Sequence, residues 1–192
     1  MQHSLGIIRK FERPIEVLKV LFAWFVLAAI LIGSSPPTSR EFWLGSASFA
    51  VAQFIRVWAA GHLTRGKALT TSGPYAYVRD PLYVGRLFWV LGLGFYSGQP
   101  WVGVVLIVIF LWFYCTKKIP KEMKNLEAAY GDPYRIYSAQ VKSLLPRLCP
   151  YPERANRRWQ WVIFQQNKEI WAVVIVAVVI ASFWAKTFYF LN

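Results

Sequence analysis

One polar stretch, lying between two apolar runs, holds most of the residues whose side chains could do chemistry. It reads His-Leu-Thr-Arg-Gly-Lys-Ala-Leu-Thr-Thr-Ser-Gly-Pro-Tyr-Ala-Tyr-Val-Arg-Asp-Pro-Leu-Tyr-Val-Gly over residues 62–85. Gly73-Pro74 is typical of a turn. Asp80-Pro81 predicts the start of a helix, with Asp80 as its N-cap. The guanidinium of Arg79, just before this helix, could bind a carboxylate or a lipid phosphate.

A second group of polar residues lies further along the chain. Glu122 stands among several lysines, in a segment that we expect to continue the preceding apolar helix, with a bend at Pro120. Gly131 should end that helix. Asp132-Pro133 then predicts an N-cap and a first-turn proline of a short helix that ends near Ser143.

The elements that must position these residues are apolar runs long enough to cross a bilayer, which takes about 20 residues. We predict an all-α, polytopic integral membrane protein with about five transmembrane helices and a cytoplasmic helical site. The predicted spans are Ile15–Ser35, Phe42–Gly61, Leu82–Gly98, Trp101–Thr116 and Ile170–Leu191. The third and fourth are separated by a tight turn, which predicts a helical hairpin. Arg56 lies inside the second span, where a charge usually has a partner or reaches the interface.

The distribution of lysine and arginine predicts the orientation. Basic residues concentrate in the N-terminal segment, in the connection at 62–81, and in the stretch Lys117–Lys168, which holds eleven of them. The loop after the first span has Arg40 alone. Five spans place all three basic segments on one side, which the positive-inside rule makes cytoplasmic. The N-terminus is then cytoplasmic and the C-terminus outside.

Composition excludes several classes of protein. Of the 192 residues, 56% are hydrophobic, and the net charge is +13. Because the basic residues flank apolar runs, they suit lipid headgroups better than nucleic acid, and no nucleic-acid partner is expected. Cys115, Cys149, His3 and His62 have no metal-site spacing, so we expect no metal and inert cysteines. We predict a single membrane-embedded domain over residues 1–192.

The two polar segments together resemble the isoprenylcysteine carboxyl methyltransferase and phospholipid methyltransferase superfamily of membrane enzymes. The resemblance covers about residues 56–146 and is closest to bacterial members. The first segment carries it at Leu69, Gly73-Pro74-Tyr75, Arg79-Asp80-Pro81, Tyr83 and Gly85, and the second at Glu122-Met123, Leu126, Tyr130-Gly131, Tyr134, Tyr137 and Pro146; Arg56, Trp58, Ala59, Gly61 and His62 match upstream. Two positions depart from the family pattern: Asp80 replaces a histidine and Met123 replaces a second glutamate.

The resemblance implies methyl transfer from S-adenosylmethionine to a lipophilic or membrane-resident acceptor that reaches the site from the bilayer. Arg79 and Glu122 are the implied catalytic residues. The implied cofactor-binding residues are His62, Leu69, Gly73, Pro74, Tyr75, Arg79, Asp80, Tyr83 and Glu122. Arg79 would pair with the cofactor carboxylate, and Glu122 or Asp80 with its ammonium or ribose. Asp80 puts in doubt the contact that an imidazole would make there.

Two other functions remain open from the sequence. The first is an NADPH-dependent membrane reductase related to sterol reductases, which share an Arg-His-Pro-x-Tyr segment but are usually longer. The second is a non-enzymatic membrane scaffold, which leaves the pattern from Gly73 to Gly85 unexplained. The acceptor group is a carboxylate, an amine or a thiol. The membrane is a bacterial inner membrane, or the endoplasmic reticulum if the source is eukaryotic, and the oligomeric state is not indicated.

Overall fold

The computed structural model describes residues 32–33, 35–64, 66 and 68–189. The chain divides into two compact units, Met1–Ser35 and Pro36–Asn192, and every element described below belongs to the second. The described residues form helices and no strands, in agreement with the all-α prediction. The α-helices are α1 Ser39–Ala60, α2 Pro81–Tyr96, α3 Pro100–Phe113, α4 Ile119–Tyr130, α5 Asp132–Gln140, α6 Trp161–Gln166 and α7 Ile170–Tyr189.

Helices occupy the positions of the second to fifth predicted spans. The first predicted span, residues 15–35, lies almost wholly outside the described residues. Two described helical runs are long and apolar enough to cross a membrane: Pro100–Tyr130, whose apolar part is α3, and α7. These runs agree with a membrane protein, whereas the count of five spans stays a prediction, as do the orientation and the single domain.

The apolar helices pack closely through small residues and one tyrosine. α2 and α3 form the predicted hairpin, and a Cβ atom on Gly94 of α2 would lie only 2.6 Å from the Cα of Gly103 on α3. Small residues at such crossings let helix backbones approach each other in membranes. The buried ring of Tyr96 contacts Phe49 of α1 and Phe183 of α7, with ring centroids 5.4 and 4.5 Å apart. These contacts connect α1, α2 and α7.

The helices after α3 differ in detail from the prediction. A π-helical turn at Tyr114–Lys118 interrupts the helical run. The sequence predicted a bend at Pro120, which comes just after this turn. Gly131 ends α4 as predicted, with a φ of 58° that favours glycine. Gly131 is also the N-cap residue of α5, so the prediction of Asp132 as N-cap was wrong by one position. Asp132 instead lies in the first turn, where a carboxylate suits the helix dipole.

A non-helical segment, residues 141–160, runs across the polar stretch, and we call it the strap. Its backbone accepts hydrogen bonds from the amides of Arg79 and Asp80, at Lys142 O (2.9 Å) and Ser143 O (3.2 Å). Further strap amides donate to the carbonyls of residues 77 and 76, and Gln160 N donates to the carbonyl of residue 61. Because residues 77–80 form no helix, these bonds satisfy backbone groups that would otherwise lack partners. The strap therefore fixes the segment that carries Arg79.

Candidate active site

A cavity of about 500 Å³ lies between the loop that follows α1, the segment from Tyr75 to Arg86, and helices α4 and α5. This volume is in the range of small-molecule sites. Six of the nine residues predicted to bind a cofactor line it: Leu69, Tyr75, Arg79, Asp80, Tyr83 and Glu122. The two polar segments of the sequence, separated by α2 and α3, therefore meet in one place.

Arg79 is held from several sides at the wall of this cavity. Its guanidinium donates a hydrogen bond to Ser143 Oγ on the strap. Its Nε lies 3.6 Å from the Asp80 carboxylate, and its Cζ lies 5.9 Å from the centre of the Tyr134 ring. The side chain is 8% exposed. A planar donor fixed in this way is suited to bind an anionic group in the cavity.

Asp80 stands at the N-cap position of α2, as predicted, and its carbonyl accepts from the amides of Tyr83 and Val84. Its carboxylate makes no capping hydrogen bond to the helix. The carboxylate instead lies at the cavity wall beside Arg79. Pro81 is the first residue of the helix, as Asp80-Pro81 predicted.

Glu122 is placed by α4 at the same cavity. Its Oε1 accepts a hydrogen bond of 3.2 Å from the Tyr83 hydroxyl, while its Oε2 is buried and has no hydrogen-bond partner among the described residues. Burial, and next the Asp80 carboxylate, raise the pKa of Glu122, against smaller opposing effects of Tyr83, Lys118 and Arg86. The neighbouring Met123 is 38% exposed and does not line the cavity, so a carboxylate there would lie outside the site.

His62, Gly73 and Pro74 lie behind the cavity wall and do not line it. The His62 imidazole is buried, and its Nδ1 lies 3.1 Å from Ser72 Oγ. A Cβ atom on Gly73 would lie 2.4 Å from the His62 ring, and Gly73 has a φ of 59°. Burial, and then the Arg157 charge, lower the pKa of His62, which favours the neutral imidazole. These residues shape the turn that presents Tyr75, and their contact with a cofactor stays a prediction.

The cavity also contains residues that were not predicted as site residues. Tyr134 has a buried hydroxyl without a hydrogen-bond partner among the described residues. The Tyr137 hydroxyl donates a 2.7 Å hydrogen bond to the carbonyl of Tyr75. Arg86 lies with its Cζ 4.7 Å from the centre of the Tyr83 ring. The sequence contained two signals for Arg86. A charged residue inside an apolar span is a functional candidate, and Arg86 lies three residues after Tyr83, on the same face of the helix.

The sequence that forms this site is similar to that of known proteins. The phospholipid methyltransferase family model matches residues 40–133, which include both cavity walls up to α4. A cobalt-zinc-cadmium resistance protein of Cupriavidus metallidurans, CzcN, is 31% identical over 170 residues, covering 83% of this chain and 76% of that protein. No solved structure matches.

Two further relatives carry the name of an enzyme. The protein-S-isoprenylcysteine O-methyltransferase of Schizosaccharomyces pombe is 34% identical over 101 residues, which cover 53% of this chain and 42% of that protein. A probable protein-S-isoprenylcysteine O-methyltransferase of Oryza sativa subsp. indica is 30% identical over 127 residues, covering 64% of this chain and 62% of that protein. Less than two thirds of each of these two relatives is therefore matched.

Proposed function

The chain belongs to the isoprenylcysteine carboxyl methyltransferase and phospholipid methyltransferase superfamily, and we propose that it transfers a methyl group from S-adenosylmethionine to a lipophilic acceptor. The observation that carries the proposal is the cavity, which Arg79 and Glu122 both line from separate segments of the matched region. Membership supports a methyltransferase of lipid-linked substrates.

The residues of the cavity fit the proposed cofactor. S-adenosylmethionine has a carboxylate, an ammonium, hydroxyls and an adenine, and it supplies an activated methyl group on a sulfonium. The cavity offers a guanidinium for the carboxylate at Arg79, and carboxylates for the ammonium and hydroxyls at Asp80 and Glu122. Glu122 Oε2 and the Tyr134 hydroxyl are buried polar atoms still without partners among the described residues, and such atoms normally have them. A polar ligand would provide these partners.

Each residue would then have a distinct role. Arg79 binds the carboxylate, and Ser143 and Asp80 orient the Arg79 guanidinium. Ionised Glu122 accepts from the ammonium, and Tyr83 holds the Glu122 carboxylate in place. Leu69 and Tyr75 cover the adenine. Fixed geometry of this kind is the main contribution that a protein can make to a displacement reaction, with about 7–11 kcal/mol available in favourable cases.

Arg86 favours an anionic acceptor among the three groups that the sequence left open. It lines the cavity next to Tyr83 and lies in the third predicted span, so an acceptor that enters from the bilayer would pass close to it. A carboxylate would be attracted to this guanidinium, whereas an ammonium would be repelled. We expect a farnesylated cysteine with a free carboxylate to compete with the natural acceptor. Its carboxamide should compete at least several-fold less well.

We further place the cavity on the cytoplasmic side of a bacterial inner membrane. The basic segments that flank the cavity support this orientation through the positive-inside rule. The C-terminus would then lie outside. A reporter fused to the C-terminus that is active only in the cytoplasm should stay inactive, and an active reporter would contradict this orientation.

Binding of S-adenosylhomocysteine to the purified full chain, measured by isothermal titration, tests the proposal. We expect binding in the wild type, and losses on the order of tenfold to a hundredfold for Arg79→Ala and Glu122→Gln, since each removes a charge-assisted hydrogen bond. Glu127→Gln is the matched control, because Glu127 lies on the same helix, outside the cavity, and pairs with the exposed Arg135.

The same titration separates the alternatives. Binding of NADPH without binding of S-adenosylhomocysteine would support the reductase and overturn the methyltransferase. Folded protein that binds neither would support the scaffold. Equal losses of S-adenosylhomocysteine affinity for Glu127→Gln and Glu122→Gln would show that Glu122 does not bind the ligand.

A further inference from the structure

Two leucines at one end of the strap are exposed to an unusual degree. Leu145 is 72% exposed and Leu148 is 100% exposed. They belong to the sequence Leu-Leu-Pro-Arg-Leu-Cys at residues 144–149, which we call the leucine tip. Lys142 lies two residues before the tip, and Arg147 lies within it. Single exposed leucines are common at protein surfaces, but two on one loop between basic residues are the pattern of an interfacial anchor.

The position of the tip relative to the helices fits such an anchor. The amide of Arg147 donates a 2.8 Å hydrogen bond to the carbonyl of Tyr77. The Tyr77 ring lies 6.4 Å from the ring of Trp58, two residues before the end of α1. Tryptophan and tyrosine concentrate where a span leaves the bilayer. The tip therefore lies beside the end of the second predicted span, where that prediction puts the lipid headgroups.

We propose that the leucine tip inserts into the headgroup region of an anionic bilayer and thereby holds the Arg79 segment in its binding geometry. Leu145 and Leu148 enter the boundary between headgroups and acyl chains. The exposed Lys142 lies against lipid phosphates, which attract basic residues near the surface. Insertion removes the two leucine side chains from water, and each fully transferred leucine favours the bound state on the order of tenfold or more.

The coupling to the site follows from the hydrogen bonds immediately before the tip. The carbonyls of Lys142 and Ser143 accept from the amides of Arg79 and Asp80, and Ser143 Oγ accepts from the Arg79 guanidinium. Restraining the tip at the membrane therefore restrains the two residues that hold Arg79. This coupling rests on the proposed function, whereas insertion of the tip does not.

Insertion can be measured at a cysteine that the chain already has. Cys149 lies in the tip and is exposed, and the other cysteine, Cys115, is replaced by serine. The labelled Cys115→Ser chain is reconstituted in vesicles of phosphatidylcholine and phosphatidylglycerol. A polarity-sensitive fluorophore on Cys149 should be quenched by lipids brominated on the upper acyl chain. The control label is on Ile136→Cys in a chain without either native cysteine, since Ile136 is half exposed on α5. Quenching at Cys149 no stronger than quenching at residue 136 would overturn insertion.

Coupling is tested by the affinity for S-adenosylhomocysteine in nanodiscs. We expect Leu145→Ser with Leu148→Ser to weaken binding about three- to tenfold in anionic nanodiscs, and Ile136→Ser to leave it unchanged. Wild-type affinity should also be several-fold lower in nanodiscs of phosphatidylcholine alone. Unchanged affinity in the double variant, with wild-type binding intact, would overturn the coupling. A wild type that binds no S-adenosylhomocysteine at all would instead overturn the proposed function, and the quenching would still decide whether the tip inserts.

Discussion

Arg56 and Glu169 form an ion pair inside the helix bundle, and breaking it should destabilise the protein far more than breaking an ion pair at the surface. The Nη2 of Arg56 on α1 lies 2.5 Å from Oε2 of Glu169, which directly precedes α7. The two side chains are 6% and 9% exposed. Arg56 also donates a 3.4 Å hydrogen bond to the carbonyl of Leu82, and its Cζ lies 4.4 Å from the centre of the Trp89 ring.

The surroundings of Arg56 leave its charge no easy route to water. A Cβ atom on Gly85 would lie 2.6 Å from the Arg56 Cγ, so α2 packs directly on the arginine side chain. Removing one partner of a buried pair costs about 3–5 kcal/mol, because the other charge stays buried. For a chain of this size that loss lowers the melting temperature by roughly 6–20 °C. We expect this shift for Glu169→Gln and for Arg56→Gln.

Thermal unfolding in detergent, followed by size-exclusion chromatography, measures the shift. Glu127→Gln is the control, since the Glu127–Arg135 pair is solvent-exposed and should contribute about 1 kcal/mol or less. The double variant Arg56→Met with Glu169→Leu should recover most of the stability, because replacing both charges by apolar groups leaves neither unpaired. A shift for Glu169→Gln no larger than that of the control would refute the reasoning, as would a double variant less stable than both single variants.

Three further predictions concern the site. Gly73→Ala should lower the melting temperature more than Gly131→Ala, because both positions have positive φ but only Gly73 lies against a side chain; equal shifts would contradict this. The affinity for S-adenosylhomocysteine should fall as the pH falls, starting above the usual glutamate range, because the raised pKa of Glu122 makes its carboxylate take up a proton early; Glu122→Gln should flatten the profile, and a profile unchanged by that substitution would count against ionised Glu122 as the ligand. Tyr137→Phe should destabilise by about 1–3 kcal/mol in chemical or thermal unfolding, since it removes the buried hydroxyl that donates to the Tyr75 carbonyl; a neutral effect would contradict this contribution.

The helices that the sequence predicted well are those with a strong local signal. Long apolar runs correctly predicted the positions of α1, α2, α3 and α7, and the turn before Pro100 predicted the hairpin. Glycine and proline marked the starts of α2 and α5 and the end of α4 to within one residue, whereas α5 ends at Gln140 and not near Ser143 as predicted. The π-helical turn at Tyr114–Lys118 had no such signal, because nothing in its sequence separates it from a continuous α-helix.

The strap was not predicted, for a different physical reason. Residues 141–160 have no helical or alternating apolar period, and their hydrogen bonds go to a segment more than sixty positions earlier. Partners so far apart in sequence leave no local pattern. The same limit explains the site: the motifs predicted Arg79 and Glu122 as residues of one site, but not that His62 would lie behind Gly73 or that Ser143 would hold Arg79.

The extended residues 77–80 explain why the strap and the site depend on each other. A cavity lined by Arg79 and Asp80 needs both side chains beside each other at the start of α2, which a helix continuing through Pro81 would not allow. Leaving the helix frees backbone amides and carbonyls, and the strap supplies partners for those of residues 76, 77, 79 and 80. The strap is itself held at both ends: Gln160 N donates to the carbonyl of Gly61 at the end of α1, and Val141 N donates to the carbonyl of Tyr137 on α5. If Arg79 binds the cofactor and the leucine tip enters the membrane as proposed, cofactor affinity and membrane composition should vary together.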